Sequence, residues 1–237
     1  MDIKPIETHY NGYRFRSRLE ARWAVFFDAA GIKYVYEPEG FEAHVDEEIR
    51  HNCWWRDESD TIKYLPDFYL PNYGYYVEVK PSLTNLLKDQ RKLSYMVSRR
   101  GPFAKGLLVL GQIPVFNDDN VLPKFALFCA DDGNCDYGIN CLLAAFVARL
   151  YRSDQRYEIR IITEKYSYTE VPHLSVFDDD FEKLYINEKT IWKYDDGLWW
   201  NIDEREIKNT ALIINRCFDK ARKARFEYGE TPTVKGG

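Results

Sequence analysis

The most constraining feature of the sequence is a β-hairpin pattern in its first half. Two runs rich in β-branched and aromatic residues, 61–70 and 75–80, flank the turn-forming sequence Pro-Asn-Tyr-Gly at 71–74. If the turn is centred between Asn72 and Tyr73, strand alternation places Asp67 directly opposite Glu78. The hairpin therefore predicts two carboxylates side by side on one face of a sheet.

This carboxylate pair indicates a chemistry. Opposed residues of an antiparallel pair have Cβ atoms about 4.5 to 5.5 Å apart, and like charges at that distance favour a cation between them or a proton on one of them. Lys80 follows Glu78 by two positions and returns to the same face. Oxygen ligands for Mg²⁺ beside an amine suit phosphodiester hydrolysis. The alternative is a trio of surface ion pairs on a solvated strand, which the spacing leaves open.

The flanking segments predict a mixed α/β layer of about 110 residues. Residues 16–30 have helical spacing of apolar side chains and end at Gly31, and 32–36 is a predicted strand. Residues 44–60 are polar and irregular and are interpreted as an insertion. A second helix is predicted from Thr84 to about Arg100, ahead of a strand at 105–110.

The remaining residues predict a less regular arrangement. Strands are expected at 124–129 and 157–163, a buried helix at 139–150, β or turn structure at 190–202, and a long helix at 205–228.

Two sets of residues resemble a known family. The first is Pro66-Asp67 followed by Glu78-Val79-Lys80, and the second is the helix sequence YRFRSRLEARWA at 13–24 followed by Gly31-Ile32 and Tyr36-Glu37-Pro38. Together they resemble the PD-(D/E)xK nuclease superfamily, in particular its phage and prophage members. The resemblance covers roughly residues 12–111. It implies a restriction-endonuclease-like core, a mixed sheet flanked by helices, which we assign to residues 1–130. Residues 131–237 are then an α+β C-terminal extension ending in a basic helix.

The same resemblance implies the site. Asp67 and Glu78 become metal ligands, with the Val79 carbonyl as a third, and Lys80 becomes the catalytic base or charge stabiliser. Glu20 is the accessory acid of the first helix and an additional metal ligand. Gln90, on the helix after the hairpin, becomes a nucleic-acid contact. The implied cofactor is Mg²⁺ or Mn²⁺.

The net charge of the chain is -5 and its isoelectric point is about 5.5. These values exclude the class of proteins that coat nucleic acid through bulk positive charge. Contact with DNA must therefore be local. Two basic clusters are candidates for this contact. One lies at the start of the first helix and contains Arg14, Arg16, Arg18 and Arg22, and the other lies on the last helix and contains Lys220, Arg222 and Lys223. For both clusters the alternative is a solvated helix face.

Other features narrow the class of protein. No apolar run approaches the roughly 20 residues that cross a bilayer, and the first seven residues do not resemble a secretory signal. Five dispersed cysteines fit reduced thiols. We therefore expect a cytoplasmic protein without membrane contact. Sequences typical of ATPase phosphate loops, serine hydrolases and zinc proteases do not occur.

Together these observations predict a metal-dependent deoxyribonuclease in a phage or prophage setting, with DNA as partner and a protein partner or homodimer possible. The alternative is a non-catalytic member of the same fold that binds nucleic acid or protein as a regulator or inhibitor.

Overall fold

The computed structural model describes residues 6–44, 61–82, 85, 89, 92–93, 95–98, 101–103, 105–115, 122–123, 125–130, 139–151, 156–163, 191–192 and 204–226. Within them the chain has an α/β fold. The helices are α1 (Arg18–Ala30) and α2 (Glu204–Lys223). The strands are β1 (Thr8–Tyr10), β2 (Tyr13–Phe15), β3 (Val35–Tyr36), β4 (Phe41–His44), β5 (Thr61–Tyr64), β6 (Phe68–Leu70), β7 (Tyr75–Val79), β8 (Leu107–Leu110), β9 (Leu122–Pro123), β10 (Phe125–Ala130), β11 (Ile139–Tyr151), β12 (Arg156–Thr163) and β13 (Ile191–Trp192).

A mixed seven-stranded sheet forms the centre, in the order β12-β11-β10-β8-β7-β6-β3. Adjacent strands of this sheet are antiparallel, except for β7 and β8, which are parallel to each other. Parallel neighbours require a crossover connection. Here the crossover lies between residues 80 and 106, where the described residues 85, 89, 92–93 and 95–97 are helical. This agrees with the helix predicted between Thr84 and Arg100.

The middle strands are apolar on both sides because both faces of the sheet are covered. Leu108 and Leu110 of β8 pack into the core that contains α1 and α2. Leu107 and Val109, which alternate with them, pack against the helical residues of the crossover. The uninterrupted apolar sequence of β8 thus follows from burial on two sides.

Helix α1 has clear boundaries. Ser17 caps its N-terminus by accepting a hydrogen bond from the backbone N–H of Glu20 at 3.2 Å. Gly31 ends it with a φ of 67°, a left-handed conformation that glycine adopts without strain. Its predicted helical character is confirmed.

Helix α2 packs against α1 and β11. The ring of Phe218 stacks on Phe26 of α1 with centroids 4.4 Å apart, and it meets Trp23 edge-on. This confirms the predicted C-terminal helix, which ends at Lys223. Among the described residues, no helix has both the length and the apolar character needed to span a bilayer.

Two predictions of secondary structure are wrong. Residues 139–150 are not a helix, because β11 lies between β10 and β12 and is hydrogen-bonded to both. A continuous apolar run has no periodicity that separates a buried strand from a buried helix. The predicted strand at 61–70 is also divided: β5 pairs with β4 in a separate two-stranded sheet, whereas β6 pairs with β7.

Helices flank the sheet more sparsely than the predicted core implies, with two continuous helices among the described residues. The main sheet also runs across residue 130, since β10 lies before that point and β11 and β12 after it. The division into a core and an extension stays a prediction. Of the predicted irregular segment 44–60, residues 45–60 lie outside the described residues.

Candidate active site

The hairpin of β6 and β7 has the register that the sequence predicts. Phe68 pairs with Val77 and Leu70 with Tyr75. Continued by one residue, this register places Asp67 opposite Glu78. Both carboxylates are buried, with 4% and 5% of each residue exposed. Local strand geometry therefore brings two acidic groups together in the interior.

Asp67 is held by donors on both of its oxygens. The backbone N–H of Val79 donates to Oδ2 at 2.6 Å, and Nη2 of Arg16 donates to Oδ1 at 2.6 Å. The N–H and C=O of one strand residue point to the same edge of the strand. The Val79 carbonyl therefore lies on the edge of β7 that faces Asp67, as the predicted set of metal ligands requires.

Glu78 shares the interior with Lys80 and two groups that the sequence did not identify. Nζ of Lys80 contacts Oε1 of Glu78 at 2.8 Å and Oδ2 of Asp89 at 2.5 Å. The hydroxyl of Tyr64, from β5, donates to Oε2 of Glu78. Lys80 is thus fixed between two carboxylates, and its side chain is only 15% exposed.

Burial raises the pKa of Asp67 well above its ordinary value, and the negative charges of Glu78 and Glu20 add to this effect. Burial also raises the pKa of Glu78, although Lys80 and Tyr64 oppose the change. For Lys80, burial acts to lower the pKa, but the attraction of Glu78 and the hydrogen bond to Asp89 outweigh it and the pKa is raised. Lys80 is therefore an ammonium ion here, which suits charge stabilisation rather than proton abstraction.

Glu20 lies in the same region but serves the start of α1. Its Oε1 accepts from the hydroxyl of Ser17 at 2.7 Å, and the backbone N–H of Glu20 donates to the oxygen of the same hydroxyl at 3.2 Å. Its Oε2 accepts from the hydroxyl of Tyr36 at 2.7 Å and from the backbone N–H of Arg16 at 3.1 Å. The structure gives Glu20 a structural role, and its role as a metal ligand stays a prediction.

Among the described residues, no group of three or more His, Cys, Asp and Glu side chains is arranged to hold a metal ion. The donors that are present nevertheless fit a hard divalent cation. Asp67, Glu78 and the Val79 carbonyl offer oxygen atoms, each with two lone pairs, so a protein hydrogen bond leaves one available. Burial is the main cause of the raised pKa of both carboxyls, and a bound cation would favour their charged forms.

These groups line a cleft of about 810 Å³. We call its three buried acids, Glu20, Asp67 and Glu78, the acidic floor. More exposed cations border them, and we call these the basic rim: Arg16, Arg18, Lys63 and Lys92. A cleft with an acidic floor and a basic rim separates the places where a cation and a phosphate would bind.

The predicted nucleic-acid contacts are dispersed. Arg16 and Arg18 line the cleft. Arg14 does not line it and forms an exposed ion pair with Glu7, and Arg22 is partly buried in α1 and is likewise outside the lining. Gln90 lies outside the described residues.

The basic cluster of α2 is only partly directed to solvent. Lys220 and Lys223 are exposed. Arg222 instead contacts the carbonyl of Pro114 and the carboxylate of Asp219. It therefore joins α2 to the segment after β8, in which Gln112 lines the cleft.

Sequence reasoning missed Tyr64 and Asp89, and it named Tyr36 and Glu37 only as part of the resemblance, without a role in the site. Their roles depend on contacts with Glu78, Lys80, Glu20 and Arg16, which lie on other elements of the fold. A signal did exist for the anchoring of Glu20, since Ser17 and Glu20 have the spacing of a capping box.

Comparison of the chain with protein-family models, with curated proteins and with solved structures finds no match. A function must therefore be inferred from the geometry of the cleft itself.

Proposed function

We propose that the protein is a metal-dependent nuclease with a restriction-endonuclease-like core that hydrolyses phosphodiester bonds of DNA in phage or prophage DNA processing. The observation that carries the proposal is the pair of buried, opposed carboxylates Asp67 and Glu78 with the Lys80 ammonium 2.8 Å from Glu78. Burying like charges side by side destabilises a fold, so a functional reason is needed. The resemblance of these residues to the PD-(D/E)xK pattern adds support.

The chemistry follows from the residues. Mg²⁺ or Mn²⁺ held by Asp67, Glu78 and the Val79 carbonyl would supply the charge that polarises a phosphoryl oxygen and activates water. Lys80 stabilises negative charge that develops on the phosphate, and Asp89 and Glu78 hold its ammonium in position. The basic rim attracts the phosphate backbone and orients it over the acidic floor.

One observation favours a second candidate, a non-catalytic member of this fold that binds nucleic acid or protein. Each oxygen of Asp67 and Glu78 already accepts a hydrogen bond from a protein group. Such a network also satisfies buried polar groups without any cation. In that case the cleft would be a binding surface.

A cleavage assay separates the two. Wild type, Asp67→Ala and Lys80→Ala are incubated with Mg²⁺ or Mn²⁺ and a panel of supercoiled, linear, single-stranded and branched DNA and RNA. Glu158→Ala is the matched control, because it removes an exposed carboxylate on β12 that does not line the cleft.

We expect metal-dependent cutting by wild type and the control, and a loss of about two orders of magnitude or more in the two cleft variants. Cutting that survives both cleft substitutions would contradict the proposal. Folded wild type that cuts nothing, and that neither metal stabilises, would favour the non-catalytic candidate.

A further inference from the structure

Arg16 links the surface of the cleft to its acidic floor. Its Nη2 lies 2.6 Å from Oδ1 of Asp67, and its Nε lies 2.7 Å from Oε1 of Glu37. The arginine side chain is 51% exposed, whereas that of Asp67 is 5% exposed. The guanidinium therefore reaches from solvent to a buried carboxylate and has a second, more exposed partner.

Charge explains why Arg16 is held there. The acidic floor contains three buried carboxylates, and among the described residues Arg16 contacts Asp67 and Lys80 contacts Glu78. Without a cation, burying Asp67 beside Glu78 would be strongly unfavourable. Arg16 thus supplies a positive charge at the carboxylate that a divalent ion would use.

The two cations differ in their freedom to move. Lys80 is 15% exposed and lies between Glu78 and Asp89. Arg16 is half exposed, and its second partner Glu37 is itself 31% exposed. Rotation of Arg16 about its side-chain torsions leads into solvent, where a guanidinium matches the two oxygens of a phosphate.

We infer that Arg16 is an internal cation that competes with a divalent metal ion for Asp67, and that on leaving Asp67 it binds the phosphodiester of the substrate. The inference rests on the proposed function and adds a regulation of the same site. Metal and guanidinium repel each other at short range, so each weakens the binding of the other to Asp67. Substrate phosphate relieves this competition by giving the guanidinium another partner.

The competition is measured as Mn²⁺ affinity, by titrating Mn²⁺ and following the free ion by electron paramagnetic resonance without DNA. The proteins are wild type, Arg16→Gln, Arg16→Lys and Arg160→Gln. The last is the matched control, because it removes one positive charge from an exposed ion pair with Glu158 on β12. The titration is run at about pH 8.5, where protons compete least with Mn²⁺ for carboxylates.

For Arg16→Gln we expect the dissociation constant for Mn²⁺ to fall by about tenfold, a modest part of the repulsion between neighbouring charges at the surface of a protein. Arg160→Gln should bind as wild type does. Arg16→Lys keeps a cation that cannot span Asp67 and Glu37 together, so a smaller gain is expected. It replaces the glutamine variant if that protein does not fold. In cleavage assays the KM for DNA should rise in Arg16→Gln, because the phosphate contact is lost.

Equal or weaker Mn²⁺ binding by folded Arg16→Gln would overturn the inference, while cleavage by wild type would leave the nuclease proposal intact. If wild type and every variant bind no Mn²⁺ and cut no DNA, the proposed function fails and the inference with it. A merely structural arginine would weaken metal binding when removed, which is the opposite of the expected gain.

Discussion

Replacing Tyr64 with phenylalanine tests whether the acidic floor is shielded from water and carries charge, as the structure indicates. The Tyr64 hydroxyl donates to Oε2 of Glu78, and the tyrosine is 8% exposed. Its ring packs against Phe103 with centroids 5.7 Å apart, a contact that phenylalanine preserves. Burial and the charge of Glu78 raise the pKa of Tyr64 well above its ordinary value, so the hydroxyl keeps its proton and remains a donor.

The expected magnitude follows from the charge on the acceptor. A hydrogen bond to a charged group contributes about 1.5 to 3 kcal/mol, and little water reaches Oε2 to replace it. We expect Tyr64→Phe to lower the free energy of unfolding by about 2 kcal/mol where Glu78 is ionised.

The pH dependence supplies a second criterion. The hydrogen bond from Tyr64 opposes the raised pKa of Glu78, so its loss raises that pKa further. When the pKa of an acid is raised in the folded state, the free energy of unfolding of the protein falls as the pH rises through that pKa. The deficit of the variant should therefore be larger at about pH 8 than at about pH 5.

Urea unfolding of wild type and Tyr64→Phe at both pH values measures the effect. Tyr157→Phe is the matched control, because it makes the same chemical change on β12 at a residue that is 48% exposed. The reasoning would be refuted if Tyr64→Phe lowered the free energy of unfolding by less than about 0.5 kcal/mol at the higher pH, or by the same amount at both pH values.

Two further predictions concern the fold around the cleft. Phe218→Ala should lower the free energy of unfolding by about 3 to 5 kcal/mol, because the ring is fully buried against Phe26, whereas Leu212→Ala on the exposed side of α2 should have a small effect. Similar urea midpoints for both would mean that α2 does not dock as described. Stability should also fall as the pH rises from the ordinary carboxyl range through the raised pKa values of Asp67 and Glu78, since the folded state binds more protons than the unfolded one. Asp67→Asn should flatten this slope in urea midpoints measured across pH, and parallel slopes would contradict the assignment.

The pairing of Asp67 with Glu78 was predictable because a hairpin register depends on few variables. The turn length fixes which residues face each other, and strand alternation fixes which side they share. The contact of Lys80 with Glu78 follows from the same alternation. Helix α1 was predictable for a similar reason, since Gly31 and the apolar spacing are local signals.

The strand β11 was not predictable in this way. Its sequence is apolar almost throughout, and such a run is compatible with a helix or a strand that is buried on all sides. The decision came from β10 and β12, which supply hydrogen bonds on both edges. Likewise, the break between β5 and β6 arises because β4 pairs with β5 alone.

By itself, then, the sequence determined an α/β chain with a carboxylate pair and a lysine on one hairpin, because turn geometry and side-chain alternation act over a few residues. Only the tertiary structure decided what surrounds that pair. Arg16 meets Asp67 across 51 positions in the sequence, and Tyr64 meets Glu78 from a strand of another sheet. Such contacts depend on how whole elements pack, and packing is set by burial of apolar surface, which does not specify which polar groups will meet.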